Sequence, residues 1–456
     1  MGDEAEARAA AQDLHALDRD VAWGVALLAE WRSALAKDAP SVADEAPLEP
    51  VRRVAGQSMW LALERLETSQ ADQPLRDALR QWAYLLLQAR LDGPAAAAWA
   101  KAAARTASVD LVETRKLASW AEAWRGAVGA PSAAAARPWL EGAASLAPEL
   151  ASIDARRAAR RVEAARRLGL AHPWAPLVSV APAVLRETAT SFLDATDDLW
   201  SAVARDTLRE GAGVAAVIVA ATAREAGEGW PARLSAASLR DILPRAFDES
   251  PVVLPPLPPA LGAASFARAM QGLGFELRAA RRSTKVPFAL AREPAFVAAH
   301  RQGFVVGSLA ADVEFQTRAL GLGKRASASQ ARVLARTALF EARLSAVRLL
   351  VGDDAAFAPR DLVDELAVRL FGRSLDARLV GAWPRARDDE PARWLALLQT
   401  PAARESLRER FDADWFRNPR AWQEMRGATL AREPADEAAA RKGGEDMARA
   451  FEGALA

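Results

Sequence analysis

Residues 6–147 read as one amphipathic helical pattern after another: 6–36, 48–68, 73–91, 94–105, 109–127 and 134–147. They are parted only by short breaks such as Asp92-Gly93-Pro94 and Gly129-Ala130-Pro131. Connections this short turn each helix back against the one before it, which implies an array of antiparallel helices. The pattern resumes at 152–168, 180–205, 207–225 and 235–247. It continues after a proline-rich stretch at 294–320, 327–351, 359–371, 375–382, 390–398 and 401–410. Alanine and arginine dominate the composition, β-branched residues are sparse, and the strong helix formers outnumber everything else. The expected fold class is all-α, a large multi-helix body.

At 456 residues the chain is long enough for two or three domains or one large helical body. We divide it into an N-terminal helical array over 1–170, a helical region over 171–431 and a polar tail over 432–456. The tail is expected to be a loose helix or structureless. Sixty basic and 59 acidic side chains leave a net charge of +1, which disfavours whole-molecule attraction to nucleic acid or an anionic membrane. With no cysteine, disulfide and thiolate chemistry are excluded. The start, MGDEAEARAA, lacks the basic and apolar segments of a signal peptide. The longest apolar run, Gly211 to Ala223, falls short of the roughly 20 residues that span a bilayer. A soluble, cytoplasmic protein is therefore expected.

Several local patterns admit both a structural and a functional reading. Trp60, Trp82, Trp99, Trp120 and Trp139 recur about every twenty residues, as core anchors or as the signature of a helical-repeat scaffold. The stretch 152–168 carries Arg156, Arg157, Arg160, Arg161, Arg166 and Arg167, a stripe suited to phosphates. Asp154 and Glu163 interrupt it and no aromatic stands within it to stack on bases, so internal salt bridges are the better reading. Asp194, Asp197 and Asp198 share a helix face, as an acidic surface or as oxygen ligands for a hard cation. GLGKRAS (321–327) lacks the first glycine and the preceding strand of a phosphate loop. Phe411 to Trp422 reads as a clamp of aromatics and ion pairs.

The most informative segment runs from Pro251 to Lys285. Prolines at 251, 255, 256, 258 and 259 forbid a helix over 251–259. An apolar helix follows, with Phe266, Met270, Leu273 and Leu277 on one face and arginines close behind. Gly272 and Gly274 each weaken a helix interior by roughly 1 kcal/mol relative to alanine, a cost that implies close backbone packing or a break. This layout resembles the zinc metallopeptidase family of thimet oligopeptidase and oligoendopeptidase, with the related thermostable carboxypeptidases. In that family a proline-containing segment precedes a His-Glu-x-x-His helix, whose two histidines bind zinc from one face while the Glu activates water. The resemblance covers about residues 180–420, where Ser191–Trp200 and Val286–Gly303 also read like core helices and connectors of such proteins.

Residue by residue, the zinc chemistry does not carry over. Gln271 and Phe275 stand at the histidine positions, Gly272 stands at the catalytic Glu position, and Gly274 is the glycine before the second histidine. Neither an amide nor a phenyl ring is a useful zinc ligand. Downstream, only Glu293 and His300 are plausible donors, and one tyrosine and three histidines in the whole chain leave little to stabilise an oxyanion. The resemblance implies two helical lobes around a cleft, lined by Arg278, Arg281, Arg282, Glu293 and His300 together with the degenerate motif. The expected function is that of a peptidase-like pseudoenzyme without metal or cofactor, binding a peptide or a segment of a partner protein. Two alternatives stay open: a hydrolase with a carboxylate-bound metal or a site centred on His300, and a helical-repeat scaffold unrelated to peptidases.

Overall fold

The computed structural model describes residues 13–36, 48–205, 208, 213–248, 257, 262–279, 286–352, 360–380, 382, 389–427 and 436–456. Seventeen helices and one two-stranded hairpin among these residues make the protein all-α. No helix among them is long and apolar enough to cross a membrane.

The N-terminal part consists of α1 (Leu14–Ala36), α2 (Gln57–Arg65), α3 (Gln73–Ala103), a hairpin, α4 (Trp120–Gly129) and α5 (Ala133–Arg167). Three interior prolines, Pro94, Pro138 and Pro148, do not interrupt α3 or α5. Each interior proline costs about 3 kcal/mol, and burial along two long packed helices offsets it. Where the sequence predicts a break at Asp92-Gly93-Pro94, Asp92 is instead buried and accepts from Arg157 Nη2 at 3.3 Å and Arg161 Nε at 2.6 Å. Arg166 and Arg167 pair with Glu163 at 2.9 and 2.7 Å. These four arginines of the stripe serve internal salt bridges.

The hairpin replaces the first part of the helix expected over 109–127, while the helix expected over 94–105 is the end of α3 as far as Ala103. Strands β1 (Thr106–Asp110) and β2 (Arg115–Ser119) pair antiparallel, with Thr106 opposite Ser119 and Asp110 opposite Arg115. Only Val109 and Ala118 are fully buried. Val109 seats against Gly142 of α5, where a Cβ would lie 2.7 Å from its Cγ2. Ser119 then caps α4 in a reciprocal box with Glu122.

The remaining helices are α6 (Pro182–Val203), α7 (Val214–Ala220), α8 (Ala236–Ile242), α9 (Ala263–Ala279), α10 (Phe288–Ala291), α11 (Val297–Gly307), α12 (Val313–Arg318), α13 (Lys324–Gly352), α14 (Arg360–Phe371), α15 (Glu390–Phe411), α16 (Pro419–Gly427) and α17 (Glu437–Leu455). One core joins α6, α13, α14, α15 and α17 around Phe192, Trp200, Phe340 and Trp394. A second joins α8, α9, α11, α12 and α16 around Phe266, Met270, Phe315 and Trp422. Residues 375–382, expected as a helix, are not helical where described, with turns over 377–380, and the two expected helices over 390–410 are one, with Pro401 inside it.

The C-terminal region also differs from the loose tail expected of it. Helix α17 buries Met447 and Ala448 in the α6–α15 core. Gly443 lets it approach so closely that a Cβ there would lie 2.2 Å from the Leu398 carbonyl oxygen. The N-terminal part is tied in as well: Asp18 accepts the backbone N–H groups of Phe288 and Ala289 at 2.7 and 2.8 Å, and Trp82 donates to the Arg292 carbonyl at 3.1 Å.

Candidate binding cavity

Helix α9 has two faces with different tasks. Phe266, Met270, Leu273 and Leu277 are buried in the second core, as their spacing predicts. On another side Ala267, Gln271, Gly272 and Phe275 line a cavity of about 1820 Å³, whose other walls come from α11, α13, α15 and α17. Small residues make up part of the wall. On α13 these are Ala331, Ala335, Ala338 and Ala342, at helical spacing along one side, continued by Ser345.

The glycines set the distance between α9 and α11. A Cβ on Gly274 would lie 2.6 Å from the Gln302 carbonyl oxygen, and one on Gly303 would lie 2.8 Å from that of Gln271. A Cβ on Gly307 would lie 3.0 Å from the Gln271 Cβ. Of the two explanations for glycine in α9, close backbone packing holds at Gly274, and α9 is continuous.

Charged side chains cross the cavity in pairs. Arg268 of α9 reaches Glu341 of α13 at 2.8 Å, and this carboxylate holds the guanidinium above its ordinary range. Arg404 of α15 meets Asp312 at 3.2 Å; burial lowers the Arg404 pKa, and Asp312 opposes that shift. Burial pushes Glu276 above the usual carboxylate range, with Arg292 pulling the other way. His300, 7 % exposed, places Nε2 3.0 Å from Asp389 Oδ2, and its ring centroid lies 4.9 Å from that of Phe275. Beside this pair, Glu390 is 1 % exposed and accepts the Ser345 hydroxyl.

Of the residues singled out in the sequence, Gln271, Gly272, Phe275 and His300 come together on this cavity. Gly274 faces α11 instead, and Arg278 is not part of the wall. Glu293 does not contact His300 by hydrogen bond; its Oε2 accepts the Ala298 N–H at 3.0 Å at the start of α11. Just before that helix, Phe296 is held at φ 56°, a conformation costly for a bulky side chain, between the rings of Trp82 and Phe275. Arg281, Arg282 and all of the 251–259 segment except Leu257 lie outside the described residues. The Asp194–Asp198 face is taken by arginine: Arg369 bonds Asp194 and Asp197 at 2.7 Å each, and Arg343 bonds Asp197 at 2.6 Å.

Among the described residues, no group of three His, Cys, Asp or Glu side chains is arranged to hold a metal ion. Sequence reasoning missed Arg268, Glu341, Ser345, Asp389 and Glu390. The one signal that could have found the α13 wall is its run of small residues at one helical face, interleaved with Arg332, Glu341 and Arg348.

Comparison with protein-family models, with curated proteins and with solved structures gives no match to this chain.

Proposed function

We propose that the protein is a non-catalytic, peptidase-like binding protein of the cytoplasm that takes an extended peptide, or such a segment of a partner protein, into this cavity. The observation that carries the reading is the cavity itself. At about 1820 Å³ it exceeds the roughly 300–1,000 Å³ typical of small-molecule pockets. Its wall includes the α9 face on which the resembled family would carry zinc, and here that face offers an amide, a glycine and a phenyl ring. A groove shaped for a backbone keeps its use when the metal ligands are gone. The paired charges along its walls supply donors and acceptors for a polar main chain.

Ala338 is exposed on the α13 wall, so Ala338→Trp would fill the cavity without disturbing either core. Fluorescence anisotropy with labelled decapeptides should show saturable binding to the native protein, weakened by about tenfold or more, ~1.4 kcal/mol, in the variant. Absence of saturable binding, or equal affinities, would overturn the reading.

A second reading, a hydrolase centred on His300, draws on the 3.0 Å contact with Asp389, since a carboxylate that orients an imidazole is a general-base arrangement. Cleavage of a mixed-peptide substrate, lost in His300→Asn, would favour it over the binding protein.

A further inference from the structure

Among the residues that line the cavity is a buried glutamate whose carboxyl group is left half satisfied among the described residues. Glu390 is 1 % exposed and contributes to the cavity wall. Its Oε1 accepts the Ser345 hydroxyl, whereas Oε2 is buried without a hydrogen-bond partner among the described residues. Arg348 and Arg393 line the same cavity, yet neither donates to that oxygen, and the Arg393 guanidinium lies over the Phe304 ring, 5.2 Å from its centroid. Glu390 is also the first residue of the 22-residue α15, where the aligned amides of the helix favour negative charge.

An unpaired buried carboxylate is costly, and the partner that best removes the cost is a desolvated cation with N–H donors. We infer that Glu390 and Ser345 form a recognition subsite for a basic side chain, lysine or arginine, of the bound segment. The inference rests on the binding reading above and adds the ligand's chemistry to it. In this arrangement Ser345 fixes one carboxylate oxygen, and the ligand's ammonium or guanidinium donates to the other. Polar groups left unpaired in the free protein give a site its selectivity, because an apolar ligand of the same size leaves them unpaired.

The test uses N-acetylated decapeptides of alanine, leucine and serine with a C-terminal fluorophore. One set carries a single lysine at successive positions, and a second set has norleucine in its place. With the full chain, at least one lysine peptide is expected to bind about tenfold tighter than its norleucine partner, and Glu390→Gln is expected to bring that ratio to about one. Equal binding of the two sets, or a ratio that survives Glu390→Gln, overturns the subsite while leaving the binding cavity standing. No binding of either set removes the peptide-binding reading and the subsite with it. The ligand-free melting temperature of Glu390→Gln supplies a second readout: it is expected at or above that of the native protein, and a marked fall would make Glu390 a structural anchor between α13 and α15 and overturn the subsite.

Discussion

Arg343 and Glu390 are both almost completely buried, and both belong to the core built by α6, α13, α14 and α15, but the protein treats them in opposite ways. Arg343 donates to the Leu193 and Arg369 carbonyls at 3.2 and 3.0 Å, to Thr196 Oγ1 at 2.6 Å and to Asp197 at 2.6 Å, so four acceptors surround one guanidinium. Glu390 has the Ser345 hydroxyl alone among the described residues. Arg343 and Ser345 stand two positions apart on α13, which turns one toward the α6–α14 junction and the other toward the cavity. The two Arg343 Nη atoms have their acceptors in place and only its Nε lacks one, whereas Glu390 leaves a whole carboxylate oxygen without a partner among the described residues, which is why we propose the second as a place for a ligand.

The largest effect that would break this contrast comes from Arg343→Met. Removing the buried guanidinium strands Thr196 and two backbone carbonyls, while Asp197, partly exposed, keeps Arg369, so a loss of about 3 kcal/mol in chemical denaturation is expected. A near-neutral result would mean that the α6–α13–α14 network does not anchor the fold. Gly274→Ala should come next, at roughly 2 kcal/mol, because its Cβ has the Gln302 carbonyl oxygen 2.6 Å away and neither backbone can yield. Gly129→Ala, with nothing within 4 Å of the new Cβ, is its control and should change stability little.

An effect confined to high pH is expected from Tyr84, a buried group whose partners are in place. Burial pushes its phenol up to about 12, against the hydrogen bond from Gln88 and the pull of Arg161, and its hydroxyl donates to the Pro173 carbonyl at 2.8 Å. A pKa raised above the unfolded value of 10.0 means the folded state keeps its proton where the unfolded state has lost it. The stabilisation is therefore complete below pH 10 and lost as pH rises toward 12. Denaturation midpoints against pH should fall across that window in the native protein and fall less in Tyr84→Phe.

Much of the fold was legible because helix formers dominate and the apolar spacing of α9 was read directly as a buried face. The hairpin was not, since a strand with Val109 as its only fully buried residue gives too short an alternation to outweigh the surrounding helical composition. The breaks expected at Asp92-Gly93-Pro94 and between 147 and 152 failed for a tertiary reason: Asp92 is held by two arginines 65 and 69 residues away. The same contacts take up Arg157 and Arg161 of the arginine stripe, whereas Arg156, Arg160, Arg166 and Arg167 are exposed. The Asp18 link to Phe288 is equally invisible in sequence, and it is not the nearest-neighbour contact on which a helical-repeat stack depends.

Half of the candidate site was also legible. Gln271, Gly272, Phe275 and His300 were singled out because one helix register and one histidine carry a recognisable pattern. Glu390 and Asp389 were not, because Glu390 joins the cavity wall from α15, more than a hundred positions beyond Phe275, Asp389 meets His300 from the residue before it, and nothing in their neighbours marks them.

The most direct test of the central claim is amide hydrogen exchange of the full chain with and without the tightest lysine decapeptide. The account predicts slowed exchange over residues 264–276 and 331–348, the α9 and α13 walls, with the β1–β2 hairpin unchanged. Slowed exchange confined to the hairpin or the N-terminal helices, or no change anywhere at saturating peptide, would contradict it.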